Sequence, residues 1–340
     1  MKLIKTTEAV GHVLCHDLTQ IIKGVTKDAA FRKGHIVTEE DIPVLLSMGK
    51  DHLYIWEKTE GMLHENEAAE ILYGICKNDH MTPTEAKEGK IELIAAEDGL
   101  LKIDTQRLQS INQLGELMIA TRHGNFPVRK GDKVAGTRII PLIIAKEKME
   151  QAVAVAGDKP LMDILPYTHK KAGIVTTGTE VFKGRIEDTF GPVVMEKLKE
   201  YNVDIIGQTI CDDNVERISK AINDYIAAGA DLICCTGGMS VDPDDTTPSA
   251  IKASGADIVS YGAPVLPGAM FLLAYHHKNH VPIVGLPGCV MYAKRTIFDL
   301  VLPRIMADET LTQEDLAALG HGGLCLSCPV CTFPNCGFGK

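Results

Sequence analysis

Apolar residues follow a helical spacing in some parts of the chain and a strand-like spacing in others. In the first part, the helical spacing predicts a helix over 65–76, and short apolar stretches joined by Gly/Asp turns predict strands around it. The sequence Gly-Asp-Lys-Pro at 157–160 interrupts the pattern. We therefore expect residues 1–160 to form an N-terminal mixed α+β, β-rich region of one or two subdomains.

The alternation becomes regular after this boundary. Apolar segments at 172–176, 203–210, 231–236 and 281–286 predict strands, and periodic patterns at 191–201, 215–228 and about 290–306 predict the helices between them. Strands that alternate with helices of this length are typical of right-handed βαβ units around a mostly parallel sheet. The second half of the chain is therefore predicted to belong to the α/β class.

Glycines and hydroxyl residues follow one of the predicted strands. In sheets of this class, ligands bind beyond the carboxyl ends of the strands. Gly237 and Gly238 would allow the backbone to approach a phosphate group closely and to offer its amide groups as donors. Ser240, Thr246 and Thr247 would add hydroxyl donors on the same loop. The loop therefore predicts a phosphate-binding site.

Acidic residues follow three of the predicted strands. Glu180, Asp213 and Asp245 lie in these three loops, with Asp212 as an alternative to Asp213. Each loop alone favours an ordinary turn or helix cap, but three at successive strand ends favour a shared site. Carboxylates that converge on a phosphate suit Mg²⁺, which prefers oxygen ligands.

Four segments of this region also carry a family resemblance. They read GIVTTGTEVFKG at 173–184, IGQTICDDNVERI at 206–218, TGGMSVDPDDTTPSA at 236–250 and GLPGCVMYAKRTIFDLVLPRI at 285–305. With these motifs, residues 172–306 resemble the molybdopterin-binding domain shared by molybdopterin adenylyltransferases and molybdopterin molybdenumtransferases. The first and last segments look more like the molybdenumtransferases, and the D-x-T-P ending of the third looks like the adenylyltransferases.

The resemblance implies a fold and a set of site residues. The fold would be a three-layer α/β/α sandwich over 168–308, in a chain that forms a homo-oligomer, either a dimer or a trimer. Glu180, Asp213 and Asp245 would be the catalytic carboxylates, and Glu180 and Asp245 would hold Mg²⁺. The residues that would bind molybdopterin or adenylated molybdopterin are Thr177, Gly178, Asp212, Gly237, Gly238, Ser240, Thr246, Pro287 and Gly288.

The implied function is molybdenum cofactor biosynthesis. The chain would insert molybdate into adenylated molybdopterin and release AMP in a Mg²⁺-dependent reaction. One departure favours a different function, since Ala269-Met270 stand where molybdenumtransferases usually have Lys-Pro in a P-G-K-P loop. The alternatives are a non-catalytic carrier of the cofactor, or a maturation chaperone for a molybdoenzyme client. A molybdopterin adenylyltransferase is a further alternative.

Four cysteines crowd a predicted tail at 320–340. Cys325, Cys328, Cys331 and Cys336 are spaced C-x2-C-x2-C-x4-C. In a reducing compartment, such a cluster predicts a zinc or iron–sulfur site rather than disulfide bonds. The alternative is a disordered tail with free thiols.

Composition excludes several other functions. The net charge is −10 and no run of basic residues occurs, so binding of nucleic acid or of an anionic membrane surface is not expected. Apolar runs fall short of the roughly 20 residues that a membrane helix needs. The N-terminal sequence lacks a secretory apolar region. We therefore expect a cytoplasmic protein.

Overall fold

The computed structural model describes residues 2–22, 26–55, 60–169, 171–240, 242 and 245–340. These residues divide into two compact units. The first consists of Met1–Ala96, Ile103–Arg122 and Gly131–Asp163, and the second of Glu97–Lys102, His123–Lys130 and Ile164–Lys340. The domain limits named from the sequence remain predictions.

Short strands and helices alternate along the described part of the chain. The strands are β1 (Lys2–Lys5), β2 (Leu18–Ile22), β3 (Thr26–Phe31), β4 (His52–Ile55), β5 (Met62–His64), β6 (Met81–Pro83), β7 (Lys90–Ala95), β8 (Gly99–Ile103), β9 (Leu117–Thr121), β10 (Phe126–Val128), β11 (Lys133–Ile139), β12 (Ile143–Ala145), β13 (Met162–Pro166), β14 (Lys171–Thr177), β15 (Asp204–Cys211), β16 (Leu232–Thr236), β17 (Ala256–Tyr261), β18 (Leu272–His276) and β19 (Pro282–Leu286). The helices are α1 (Asp41–Ser47), α2 (Glu65–Cys76), α3 (Thr105–Asn112), α4 (Lys146–Ala156), α5 (Thr179–Phe182), α6 (Phe190–Lys199), α7 (Val215–Ala227), α8 (Thr247–Ala253), α9 (Ile297–Met306) and α10 (Gln313–Ala318). Two 3-10 turns cover Thr6–Glu8 and Gly288–Met291.

A six-stranded sheet forms the centre of the second unit. Its strand order is β15-β14-β16-β19-β18-β17. The pairs β14–β15, β14–β16 and β16–β19 are parallel, whereas β17–β18 and β18–β19 are antiparallel. The parallel part contains all four strands that were predicted from the sequence, and the antiparallel edge was not predicted.

Successive residues of the central strands face opposite sides of this sheet. On β14, Ile174 belongs to a core cluster with α6 and α9, whereas Val175 belongs to a second cluster with α7 and α8. Cys234 and Cys235 on β16 divide in the same way, and both are fully buried. Helices therefore cover both faces, as expected for a parallel sheet. This arrangement confirms the predicted α/β class and the three-layer α/β/α sandwich.

The first unit contains an antiparallel sheet and a buried helix. The sheet has the order β6-β7-β11-β9, and α2 packs against it. Helix α2 begins with a capping box, in which the His64 ring accepts a hydrogen bond from the Asn66 amide and the Glu67 carboxylate accepts one from the His64 amide. The predicted helix over 65–76 is therefore confirmed, together with the β-rich character of this region.

The predicted helix over about 290–306 is wrong in its first half. Gly288–Met291 forms a 3-10 turn, and α9 begins only at Ile297. Thr296 and Asp299 form a capping box at this point, so their side chains satisfy the first amide groups of the helix. The apolar residues Val290 and Ile297 are both fully buried, and this burial produced the pattern that suggested one continuous helix.

Helices in the described part of the chain are all too short or too polar to cross a membrane.

Stability of the first unit is expected to depend on pH through Glu65. Burial raises the pKa of this carboxyl group from 4.5 to about 7, and nearby Arg138 only partly opposes the shift. The folded protein then retains a proton that the unfolded chain has already lost. We therefore expect the free energy of unfolding to fall as pH rises from about 4.5 to about 7.

Glu65→Gln should remove this dependence, because glutamine carries no titrating proton. Urea unfolding at about pH 5 and about pH 8 measures the effect. Glu70→Gln is the matched control, since Glu70 is exposed on the same helix. Identical pH profiles for the wild type and Glu65→Gln would contradict the assignment.

Candidate functional site

The carboxyl ends of three parallel strands lie side by side in the second unit. Thr177 at the end of β14 is in register with Cys211 of β15, and Thr176 is in register with Thr236 of β16. The segments that follow these strands therefore begin at the same edge of the sheet. These segments are the three loops in which the sequence predicts ligand-binding residues.

The first two loops are joined through a carboxylate. The amide and hydroxyl groups of Thr179 both donate to Oδ2 of Asp213, over 2.9 and 2.8 Å. The amide of Gly178 donates to the carbonyl of Cys211, over 3.1 Å. Gly178 has φ +140°, a value that side chains rarely permit. Asp213 thus fixes the start of α5, which carries Glu180.

The third loop depends on two glycines. Gly237 has φ +84°, and a Cβ atom at this position would lie 2.1 Å from the carbonyl oxygen of Thr177. Gly238 has φ +53°, and its Cβ would lie 2.8 Å from the hydroxyl of Thr247. Both positions therefore combine a left-handed backbone with a close approach to a neighbour. No other residue type would allow the loop to pass so near the end of β14.

Buried hydroxyl groups connect the strand ends beneath this loop. Thr177 and Thr247 share a hydrogen bond of 2.9 Å. Thr236 donates to the hydroxyl of Thr176 over 3.2 Å, and the amide nitrogen of Gln208 donates to the same oxygen over 2.8 Å. These bonds satisfy polar groups that would be costly to bury unpaired. They also hold the three loops in a fixed relation.

Tyr261 is hydrogen-bonded to the part of the glycine loop that follows Gly238. Its hydroxyl donates to the carbonyl oxygens of Met239 and Ser240, over 2.9 and 3.1 Å. Burial raises the pKa of Tyr261, and the neighbouring carboxylate of Asp245 raises it further. The hydroxyl therefore remains a donor at neutral pH.

Two adjoining cavities open at this edge, with volumes of about 550 and 530 Å³. Phe190 and Met291 line both, together with the glycines of the loop. The predicted site residues that line the first cavity are Thr177, Gly178, Glu180, Asp213, Gly237, Gly238 and Asp245. Those that line the second are Gly237, Gly238, Ser240, Asp245, Pro287 and Gly288.

Three of the predicted ligand-binding residues, Asp212, Thr246 and Thr247, line neither cavity. Asp212 forms an ion pair of 2.9 Å with Arg217 through Oδ2, and its Oδ1 is buried without a hydrogen-bond partner among the described residues. The hydroxyl of Thr246 donates to the backbone carbonyl of Asp213 over 3.0 Å. The side chains of Asp212, Thr246 and Thr247 therefore stabilise the loops and do not face either cavity.

The first cavity also contains acidic residues that the motifs in the sequence did not reveal. Glu187, Asp188 and Asp242 lie on its wall. Asp188 accepts hydrogen bonds from the amide groups of Phe190 and Gly191, over 2.9 and 3.1 Å, at the start of α6. In the sequence, the signal for Asp188 is its position just before a predicted helix, where acidic residues often accept hydrogen bonds from the first amide groups.

The described residues contain no group of three His, Cys, Asp or Glu side chains placed to share a metal ion. The carboxylates of the first cavity are thus not already gathered around one point. The four cysteines of the predicted tail line a further cavity, of about 700 Å³, in the same unit. Cys325 and Cys336 are half-buried, whereas Cys328 and Cys331 are exposed.

The carboxyl edge of a parallel sheet, here with a glycine-rich loop and several carboxylates, is where domains of this class bind their ligands. In agreement, residues 173–307 match a family described as "Probable molybdopterin binding domain". This part of the chain is therefore a domain of the molybdopterin-binding family. Residues 3–57 match a family described only as a domain of unknown function.

Sequence relatives match a short part of the chain. A CinA-like protein from Mycobacterium sp. (strain MCS) is 42% identical over 77 residues, which are 23% of this chain and 18% of that protein. The CinA-like protein from Mycobacterium avium (strain 104) is 40% identical over the same length and the same shares. The chain thus spans less than a fifth of the length of these curated relatives.

Solved structures with similarity to the chain include two from Pyrococcus. The tungsten cofactor synthesizing protein MoaB from Pyrococcus furiosus is 20% identical, with a TM-score of 0.35, over 42% of this chain and 97% of that one. The molybdopterin biosynthesis protein MoeA from Pyrococcus horikoshii is 16% identical, with a TM-score of 0.35, over 72% of this chain and 79% of that one.

Proposed function

We propose that this protein acts in molybdenum cofactor biosynthesis as a molybdopterin molybdenumtransferase-like enzyme. It binds molybdopterin or adenylated molybdopterin, inserts molybdate in a Mg²⁺-dependent reaction and releases AMP. The observation that carries the proposal is the cavity on which Glu180, Asp213 and Asp245 lie beside the Gly237-Gly238 loop. The match of residues 173–307 to the molybdopterin-binding family supports the choice of ligand.

The charge of the first cavity supports the requirement for Mg²⁺. Its described wall contains six carboxylates and no Lys or Arg side chain, the six being Glu180, Glu187, Asp188, Asp213, Asp242 and Asp245. A phosphorylated ligand would be repelled here unless a cation offsets the charge. Mg²⁺ is usually held by one or two carboxylates together with substrate phosphates, so a preformed cage of three protein ligands is not required. Glu180 and Asp245 are the residues that would hold the ion, which would neutralise phosphate charge when bound.

The remaining groups of the site would bind and orient the ligand. The backbone at Gly237 and Gly238 can approach a phosphate without steric hindrance from a side chain. The hydroxyl of Ser240 lies at the second cavity, next to Pro287 and Gly288, where it can donate to the same ligand. Asp213 keeps Thr179 in place and so fixes the backbone that carries Glu180. AMP would leave when water or molybdate attacks phosphorus and the phosphoanhydride bond of the adenylated ligand breaks.

Asp245→Asn provides the test of this activity. Purified protein is mixed with adenylated molybdopterin, molybdate and Mg²⁺, and release of AMP is followed. We expect the variant to be slower by at least about 100-fold, because Asp245 is one of the two carboxylates that would hold Mg²⁺ beside the reacting phosphate. Removal of Mg²⁺ by a chelator should abolish the wild-type reaction.

Asp257→Asn is the matched control, since Asp257 is exposed on β17 and lines neither ligand cavity. It should release AMP at the wild-type rate. Unchanged AMP release by Asp245→Asn would overturn the assignment of the site.

A non-catalytic carrier or a maturation chaperone for a molybdoenzyme client is the second candidate. The observation in its favour is that Met270 lines the second cavity, in the loop where the related transferases usually have Lys-Pro. Lys294 does not replace this cation, because its Nζ donates to the carbonyl of Pro329 over 2.9 Å and it lines the cavity of the cysteines instead. Tight binding of adenylated molybdopterin without AMP release would favour this candidate.

Adenylyl transfer to molybdopterin is a third candidate. Its basis is the D-x-T-P ending of the glycine loop, in which Asp245 lines the cavity and Thr247 begins α8. A second assay with molybdopterin, ATP and Mg²⁺ distinguishes it, because an adenylyltransferase would consume both substrates and release pyrophosphate.

The proposal also includes features outside the ligand cavity. The protein would be a cytoplasmic homo-oligomer, either a dimer or a trimer, without nucleic-acid or membrane partners. Cys325, Cys328, Cys331 and Cys336 would ligate a metal centre, zinc or iron–sulfur.

A further inference from the structure

The C-terminal segment is folded as a closed loop on the second unit. The amide of Gly339 donates to the carbonyl of Gly322 over 2.9 Å, which joins the two ends of the segment. The backbone of Leu266 forms two hydrogen bonds with this segment. Its amide donates to the carbonyl of Gly323, and its carbonyl accepts from the amide of Cys325, each over 2.8 Å. Phe338 is 4% exposed and belongs to the main core. Cys325 and Cys336, which pack against the same core, are therefore held in place.

The four cysteines of this loop surround one volume. Cys325, Cys328, Cys331 and Cys336 all line the cavity of about 700 Å³, and all four are free thiols. Within the described ranges, however, no three of these side chains lie close enough to share a single ion. The thiols thus face a common space without converging on a common point.

We propose that this cavity holds a [4Fe–4S] cluster ligated by Cys325, Cys328, Cys331 and Cys336. A zinc ion would draw all four sulfurs to about 2.3 Å from one centre. A cluster instead presents four separate iron atoms, so its cysteine ligands stand further apart around a larger volume. The spacing C-x2-C-x2-C is one that iron–sulfur sites also use.

The charges and the apolar groups around the cavity also suit a cluster. A cluster held by four thiolates is anionic, and the two basic side chains that line this cavity are Lys294 and Arg295. The guanidinium of Arg295 is held in place by an ion pair of 2.8 Å with Asp299, and it stacks over the ring of Phe333 at 5.1 Å. Phe338 supplies an apolar wall on the core side of the cavity.

The proposed cluster would adjoin the ligand-binding edge of the sheet. Tyr292 lines the cysteine cavity and also the second ligand cavity, next to Gly288. The two cavities therefore meet at Tyr292, the residue that follows the 3-10 turn Gly288–Met291. This inference rests on the metal-centre part of the proposed function and is independent of the transferase activity.

Metal and sulfide analysis of the full chain tests the inference. The protein is purified without oxygen, or reconstituted with ferrous iron and sulfide, and its iron, zinc and acid-labile sulfide are measured. We expect about four iron and four sulfide per chain, with visible charge-transfer absorption that bleaches on reduction. About one zinc per chain without sulfide would overturn the inference and leave the metal centre of the proposed function in place.

Single substitutions identify the ligands. Cys328→Ser and Cys331→Ser alter exposed side chains, so both variants should fold, and circular dichroism checks that they do. Each should lose most of the iron and sulfide. Cys289→Ser is the matched control, because Cys289 is half-buried nearby but does not line this cavity, and its iron content should equal the wild type. Protein without metal, in which all four thiols of the loop react with a thiol reagent, would overturn both the inference and the proposed metal centre.

Discussion

Gly237→Ala is expected to reduce AMP release by about 100-fold, the cost of displacing a reacting group by roughly 1 Å. Gly237 has φ +84°, and the new Cβ would lie 2.1 Å from the carbonyl oxygen of Thr177. The loop or the end of β14 must move to relieve this contact. Because Gly238 and Asp245 follow on the same loop, the movement would displace the groups proposed to face the phosphate.

Gly229→Ala separates this effect from backbone strain. Gly229 has φ +89°, but a Cβ there would meet no atom within 4 Å. Both variants should lose about 1–2 kcal/mol of unfolding free energy from the left-handed backbone. Only Gly237→Ala should lose ligand affinity and activity, which calorimetry and the AMP assay measure. Equal activity of the two variants would show that the glycine loop does not contact the ligand.

Asp299→Asn is expected to lower the free energy of unfolding by about 3–5 kcal/mol. Asp299 is 5% exposed, and its Oδ1 accepts from Lys197 over 2.7 Å and from Arg295 over 2.8 Å. Its Oδ2 accepts from the amide of Thr296 over 2.7 Å at the start of α9. The substitution retains the shape of the side chain but leaves the buried ammonium group of Lys197 without a compensating charge.

Asp224→Asn is the matched control for this prediction. Asp224 accepts from Lys220 over 2.5 Å, but both side chains are more than half exposed on α7. An exposed pair of this kind contributes at most about 0.5 kcal/mol. Denaturant unfolding of both variants gives the comparison. A loss below about 1 kcal/mol for Asp299→Asn would show that solvent reaches the pair.

Periodicity predicted the central elements because the burial of each segment follows from its own sequence. The helix over 65–76 and the four parallel strands are examples, since their apolar residues face the core at regular intervals. The antiparallel strands β17 and β18 were not predicted. Edge strand β17 alternates poorly, because only Ala256 of its six residues is buried.

Part of the lining of the candidate site could be predicted for a similar reason. Gly237, Gly238 and the carboxylates of three loops are recognisable because each follows a predicted strand. Asp188 is positioned by its hydrogen bond to the start of α6. The spacing of residues along the sequence does not indicate that this side chain lies on the cavity. Which of Asp212 and Asp213 lies on the cavity also depended on the fold, and of the two only Asp213 lines it.

The sequence by itself determined the α/β class, the resemblance to the molybdopterin-binding family and the positions of the glycine loop and the cysteine cluster. These depend on local pattern, which each segment carries independently of its neighbours. Tertiary structure decided the order of the strands, the six carboxylates that share one cavity and the closed loop that brings four cysteines around one space. Such features arise from contacts between residues far apart in the chain, and the spacing of residues along a sequence does not specify which distant segments will meet.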